Sequence, residues 1–135
     1  MLRTLTIGLS SLALLYPGIA ERRESADRPQ IIKLERFRKA LWKVHVSVNG
    51  VPGDFLLDTG GGNTLLTHEF SSRVACKYWG LTTGYNMFGK RNDGPHCDNV
   101  QIAAGEAMLT PVNVSSIDFG DQFAGDKTPD GLLSL

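Results

Sequence analysis

Residues 41–48, Leu-Trp-Lys-Val-His-Val-Ser-Val, alternate so regularly that they read as a half-buried strand, with Val44, Val46 and Val48 on one face and Lys43, His45 and Ser47 on the other. Asn49-Gly50 follows at once. That dipeptide tolerates positive φ at both central positions of a type I′ turn, so residues 51–57 are predicted to return antiparallel. The returning strand runs through Phe55-Leu56-Leu57 into Asp58, and Thr59, Gly60, Gly61 and Gly62 come next. A carboxylate behind large apolar residues is costly to bury unless it is hydrogen-bonded or used, and the glycines remove side chains that would crowd it. Asp58 is therefore the candidate catalytic group, mounted at the end of a hairpin strand. His45, on the polar face, reads as a surface residue.

The remaining pattern is also mostly that of strands. Residues 31–34 suit a first short strand, and residues 35–40 are open to a helical turn. Residues 63–66 resume an apolar strand, and Thr67 is placed to cap a short helix from His68 to about Ala75, the one convincing helical stretch. Residues 78–88 carry aromatic and Thr residues, Gly89-Lys90-Arg91-Asn92-Asp93-Gly94-Pro95 is dense in turn formers, and residues 97–103 alternate as a returning strand. Together they predict a long hairpin with a polar tip. Gly105-Glu106 makes a further turn, residues 108–117 a further strand, and residues 118–129 a loop rich in Gly and Asp. Asp130-Gly131-Leu132-Leu133-Ser134-Leu135 is an apolar run led by a turn. A last strand ending there would leave its apolar residues unsupported, so the domain, residues 31–135, is expected to be C-terminally incomplete.

Bulk properties narrow the function classes. With 135 residues, 14 basic against 14 acidic side chains and 41% hydrophobic residues, the chain suits one modest globular domain. Balanced charge without a clustered Lys/Arg face speaks against nucleic acid as a partner. Residues 1–20 combine a charged start, a short apolar run and a small-residue exit ending at Ala20, the pattern of a cleaved secretory signal peptide. The apolar run is too short for the roughly 20 residues of a membrane span. Residues 21–30 are dense in both charges and read as a solvated linker. The expected location is exported, periplasmic or extracellular, with no membrane attachment after cleavage. Cys76 and Cys97 are the only cysteines, an even count compatible with one bridge in an oxidising compartment or with two buried or free thiols. His45, His68 and His96 show no ligand spacing, so neither a metal nor another cofactor is expected.

Taken together, the hairpin, Asp58-Thr59-Gly60-Gly61 and the terminal Asp130-Gly131-Leu132-Leu133 resemble the retropepsin-like aspartic proteases of the pepsin clan, especially exported bacterial members. The resemblance spans about residues 31–135. It implies an all-β, half-barrel acid-protease fold with one short helix, and an endopeptidase acting on peptide or protein substrates. In that chemistry a water is held between two carboxylates, one charged and one protonated, because two close like charges cannot both ionise. Asp58 would supply one carboxylate, Thr59 would hydrogen-bond to the matching loop of the other half, Gly60 would let backbone approach the carboxylate closely, and Gly61 would belong to the same supporting loop. Gly89, Lys90, Arg91, Asn92, Asp93 and Gly94 would form a flap over the substrate. With a single Asp-Thr-Gly, the second carboxylate must come from another copy in a homodimer or from a missing lobe.

Two departures stand out: Ser134 occupies the place where the family usually has a glycine after two apolar residues, and Gly61 replaces the commoner Ala or Ser. Two rival readings remain. Asp58-Thr59-Gly60-Gly61-Gly62-Asn63-Thr64 also looks like the phosphate loop of the actin and sugar-kinase superfamily. Alternatively the chain is an inactive β-rich binding module whose Asp58 only hydrogen-bonds its own turn.

Overall fold

The computed structural model describes residues 29–86, 89–98, 100–111, 113–123 and 127–135. The expected signal peptide and most of the charged linker lie outside the described residues. Among the described residues the architecture is all-β with one short helix, and ten strands form one sheet in the order β5 (Lys77–Tyr85), β6 (Arg91–Asp98), β9 (Val114–Ile117), β4 (Thr64–Thr67), β10 (Gly131–Ser134), β3 (Val51–Asp58), β2 (Leu41–Val48), β7 (Ile102–Ala104) and β8 (Ala107–Leu109), with β1 (Leu34–Phe37) joining through β2.

The central hairpin follows from its local pattern. β2 (Leu41–Val48) and β3 (Val51–Asp58) pair antiparallel from Val48↔Val51 to Lys43↔Leu56. Asn49 at φ 49° and Gly50 at φ 82° turn the chain between them. The valines of β2 point into the main core, where Phe55 and Phe70 meet edge to face with ring centroids 5.3 Å apart. Burying each such ring is worth about 2–3 kcal/mol. Leu56, facing the other way, enters a second cluster with Phe119 and Phe123.

β1 (Leu34–Phe37) lies later than the expected strand at residues 31–34, and residues 35–37 are strand rather than helical turn. Its register ends on Phe37↔Leu41, and Phe37 packs against Phe123 at 5.9 Å, so tertiary packing decides the placement. β4 (Thr64–Thr67) leads into α1 (His68–Arg73), where the Thr67 hydroxyl accepts from the Phe70 N–H at 3.1 Å, the expected cap. The helix stops at Arg73, and Ala75 takes φ 52°.

The long hairpin exists, but its tip is displaced. β5 (Lys77–Tyr85) pairs with β6 (Arg91–Asp98) up to Tyr85↔Arg91, so Arg91, Asn92, Asp93 and Gly94 are strand residues rather than the tip. Polar pairing holds the turn formers extended: across the two strands the Thr83 hydroxyl donates to Asp93 Oδ1 at 2.6 Å, and along β6 itself Arg91 Nε reaches both Asp93 oxygens at 3.0 Å. The single strand expected at 97–103 is divided between β6 and β7 (Ile102–Ala104), and the one expected at 108–117 between β8 (Ala107–Leu109) and β9 (Val114–Ile117). Pro111 offers no N–H at the second break, where the chain leaves β7 and joins β4 in parallel.

β10 (Gly131–Ser134) decides the centre of the sheet. It runs parallel to β3 on one side and antiparallel to β4 on the other. Leu133 is buried and Leu132 half-buried, so these residues are supported after all; Leu135 alone stays open, at 68% exposure. Within the loop that precedes β10, a 3-10 turn at Gly120–Phe123 delivers Phe123 to the second cluster.

Candidate functional site

β3 ends on Asp58, whose side chain is half-buried, while Thr59 and Gly60 are exposed. The Gly60 N–H donates to Asp58 Oδ1 at 2.9 Å. Gly61 presses against the same carboxylate: a Cβ built there would lie 2.8 Å from Asp58 Oδ2, which explains why a glycine stands at this position. The main chain is fixed as well, since the Leu135 N–H donates to the Asp58 carbonyl at 3.3 Å. One carboxylate oxygen thus accepts a backbone amide, and the loop leaves the group reachable from solvent.

β10 supplies further support beside the loop, and the part of Ser134 in it is what sequence reasoning missed. Ser134 is the register partner of Asp58, its hydroxyl donates to the Gly61 carbonyl, and its N–H donates to Thr64 Oγ1 at 3.3 Å. Beside the loop lies a groove of about 420 Å³ bordered by Gly61, Gly62, Ile102, Leu133 and Ser134.

A second polar centre holds the far end of β10. Asp54 and Asp130 are joined twice: the Asp54 N–H donates to Asp130 Oδ2 at 2.9 Å, and the Asp130 N–H to the Asp54 carbonyl at 2.8 Å. The Thr67 N–H donates to the Asp130 carbonyl at 2.9 Å, linking β4 to the same point. Around it sit His45 Nδ1, 3.0 Å from Asp54 Oδ1, with Lys43 Nζ at 3.3 Å and Lys127 Nζ at 3.4 Å from Oδ2. The hydrogen bond to His45, then those from the two lysines, hold the Asp54 carboxyl below the usual carboxylate range against the opposing effect of burial. A clue existed in the sequence, because Asp54 shares the Leu56 and Asp58 face of an otherwise apolar strand.

The other expected site residues are dispersed. Gly89, at φ 74°, and Lys90 form the hairpin tip, where the Lys90 N–H donates to Asn86 Oδ1 at 2.9 Å. Arg91, Asn92 and Asp93 are exposed on β6, and hydrogen bonds from Thr83 and then Arg91 lower the Asp93 pKa. Gly94 is buried against β9, where a Cβ would strike the Ser116 carbonyl. Below the hairpin, Tyr78, Ser71, Ser116 and His68 form a connected hydrogen-bonded chain that ties β5, α1 and β9 together. Cys76 and Cys97 are joined as a disulfide with Cα atoms 5.6 Å apart. Among the described residues no three His, Cys, Asp or Glu side chains are grouped to hold a metal.

A family model for aspartyl proteases matches residues 44–135, the stretch from β2 through the Asp58 loop to β10. The chain belongs to the aspartyl protease family. The chain is also similar to a solved retropepsin-like aspartic protease from Rickettsia conorii, at 18% identity, covering 78% of this chain and 81% of that one, with a TM-score of 0.49. No curated protein matches the chain. Membership of the aspartyl protease family sets aside the phosphate-loop reading of Asp58-Thr59-Gly60-Gly61, and it is the family to which the retropepsin-like resemblance of the sequence pointed.

Proposed function

We propose that this aspartyl protease family member is an exported endopeptidase that hydrolyses peptide bonds with Asp58 as one of two paired carboxylates. The observation that carries this reading is the half-buried Asp58 carboxylate, fixed by the Gly60 amide and walled by Gly61 while facing an exposed loop. Peptide hydrolysis of this kind needs a base to take a proton from water and an acid to give one to the leaving nitrogen. A pair of close carboxylates does both, because sharing one proton separates their apparent pKa values. Asp58 is one member. Its twin comes from a second copy of the chain across a two-fold axis, or from a further lobe, and Thr59 braces the two loops. The β5–β6 hairpin, with Gly89 and Lys90 at its tip and Arg91 to Gly94 along its second strand, acts as the flap that adds to an extended peptide as a strand.

The test is hydrolysis of an unfolded polypeptide by the purified protein at acid and neutral pH, beside Asp58→Asn. The expected result is cleavage favoured at acid pH and reduced by more than about a hundredfold in the variant, as general acid–base groups contribute 10²–10⁴-fold. Cleavage that survives the substitution in pure material would refute the assignment. A folded wild-type protein that cleaves nothing would favour the binding-module reading.

A further inference from the structure

We propose that Ser134 is a positioning residue for the Asp58 carboxylate, acting through the carbonyl of Gly61. The inference rests on the protease reading above and adds to it a residue that stands where the family usually has glycine.

The geometry begins with register. Ser134 and Asp58 are paired in the parallel ladder between β10 and β3, and register partners on parallel strands project to the same side of a sheet. The side chains therefore flank one another, with Gly61 between them. A Cβ added to Gly61 would lie 2.8 Å from Asp58 Oδ2 and 3.1 Å from Ser134 Oγ, so the glycine backbone is a wafer between the hydroxyl and the carboxylate. The Ser134 hydroxyl donates to the Gly61 carbonyl. Ser134 itself is fixed from behind, because its N–H donates at 3.3 Å to Thr64 Oγ1, on a side chain only 1% exposed. The next residue closes the frame with the Leu135 N–H on the Asp58 carbonyl at 3.3 Å.

Such a clamp matters most in a glycine run. Gly60, Gly61 and Gly62 have no side chains to limit their backbone angles, so the loop's shape must be imposed by neighbours. The Gly60 amide holds Asp58 Oδ1, and the Gly61 backbone forms the wall against Oδ2. Without the Ser134 hydroxyl the Gly61 peptide is free to tilt, and the wall against Oδ2 moves. Small displacements of a catalytic group lower turnover without weakening substrate binding at a distance.

The experiment compares wild type, Ser134→Ala and Ser134→Thr in the purified protein, by steady-state proteolysis of an unfolded polypeptide and by NMR of the Gly61 carbonyl carbon and the Gly60 amide proton. Ser134→Ala should lower kcat about tenfold, the loss of one well-placed hydrogen bond, with KM within about twofold. Ser134→Thr, which keeps the hydroxyl, should restore kcat to within about twofold of wild type. Equal kcat in wild type and Ser134→Ala, or an equal loss in Ser134→Thr, would overturn the role. If the wild-type protein is inactive, the protease reading fails and Ser134 is judged by NMR alone. Both resonances must then move in Ser134→Ala and return in Ser134→Thr; unchanged resonances overturn the assignment.

Discussion

Gly131→Ala probes the threading of β10, on which the site's frame depends. Gly131 opens β10 and is paired with Phe55 on one side and Leu66 on the other. An added Cβ would run into the Leu65 carbonyl oxygen and lie 2.9 Å from Phe55 Cδ1. Neither obstacle can yield cheaply: the first is backbone within the β4 ladder, and the second is a ring at 0% exposure held against Phe70. Overpacking costs about 1–3 kcal/mol when side chains adjust. Here a strand must shift, and each ladder hydrogen bond lost adds about 1 kcal/mol, giving a total of about 3–5 kcal/mol. That is a large share of the roughly 5–15 kcal/mol that stabilises a domain. Gly84→Ala is the control, because nothing lies within 4 Å of the position on β5, and its effect should stay within about 0.5 kcal/mol. Urea unfolding of both variants, fitted with a common slope, reads the difference directly. If the two variants unfold within about 1 kcal/mol of each other, β10 is not confined between β3 and β4.

Other consequences concern acid and redox conditions. Because the folded pKa of Asp54 lies below its unfolded value of about 3.9, the unfolded state binds more protons between the two. The stability from this cluster is therefore present above about pH 4 and lost as pH falls through the lower folded value; the advantage of wild type over Asp54→Asn in urea unfolding should shrink as pH falls below about 4, and a constant difference would contradict it. The Cys76–Cys97 bridge closes a span with a sequence separation of 21, so reduction should cost about 3 kcal/mol in chain entropy. A urea midpoint unmoved by reductant, with the Cys76→Ser/Cys97→Ser variant equally stable, would show that the bridge contributes nothing.

Local pattern carried the reading of the sequence furthest where contacts are near in the chain. The β2–β3 hairpin, the Asn49-Gly50 turn, the Thr67 cap and the placement of Asp58 at a strand end all rest on neighbours a few residues apart, and each is observed. The β5–β6 tip was misplaced because Arg91, Asn92 and Asp93 look like turn residues, yet Thr83 and Asp93 satisfy one another across the strands. Ser134 read only as a departure, since its partner Gly61 is distant in sequence and a lone serine has no pattern. The same holds for Asp54 and Asp130, whose paired amides and carbonyl link β3 to the entry of β10.

Residue pattern alone specified the all-β character of the domain, the hairpin, and the carboxylate it carries into a glycine loop. Alternation and turn chemistry act over a few residues and need no knowledge of the rest of the chain. Long-range packing placed the terminal Gly-Leu-Leu-Ser run between β3 and β4, with Ser134 beside Asp58. That placement is set by long-range burial of Leu133 and by close backbone approach at Gly131, contacts between residues far apart in the chain that alternation and turn chemistry do not report.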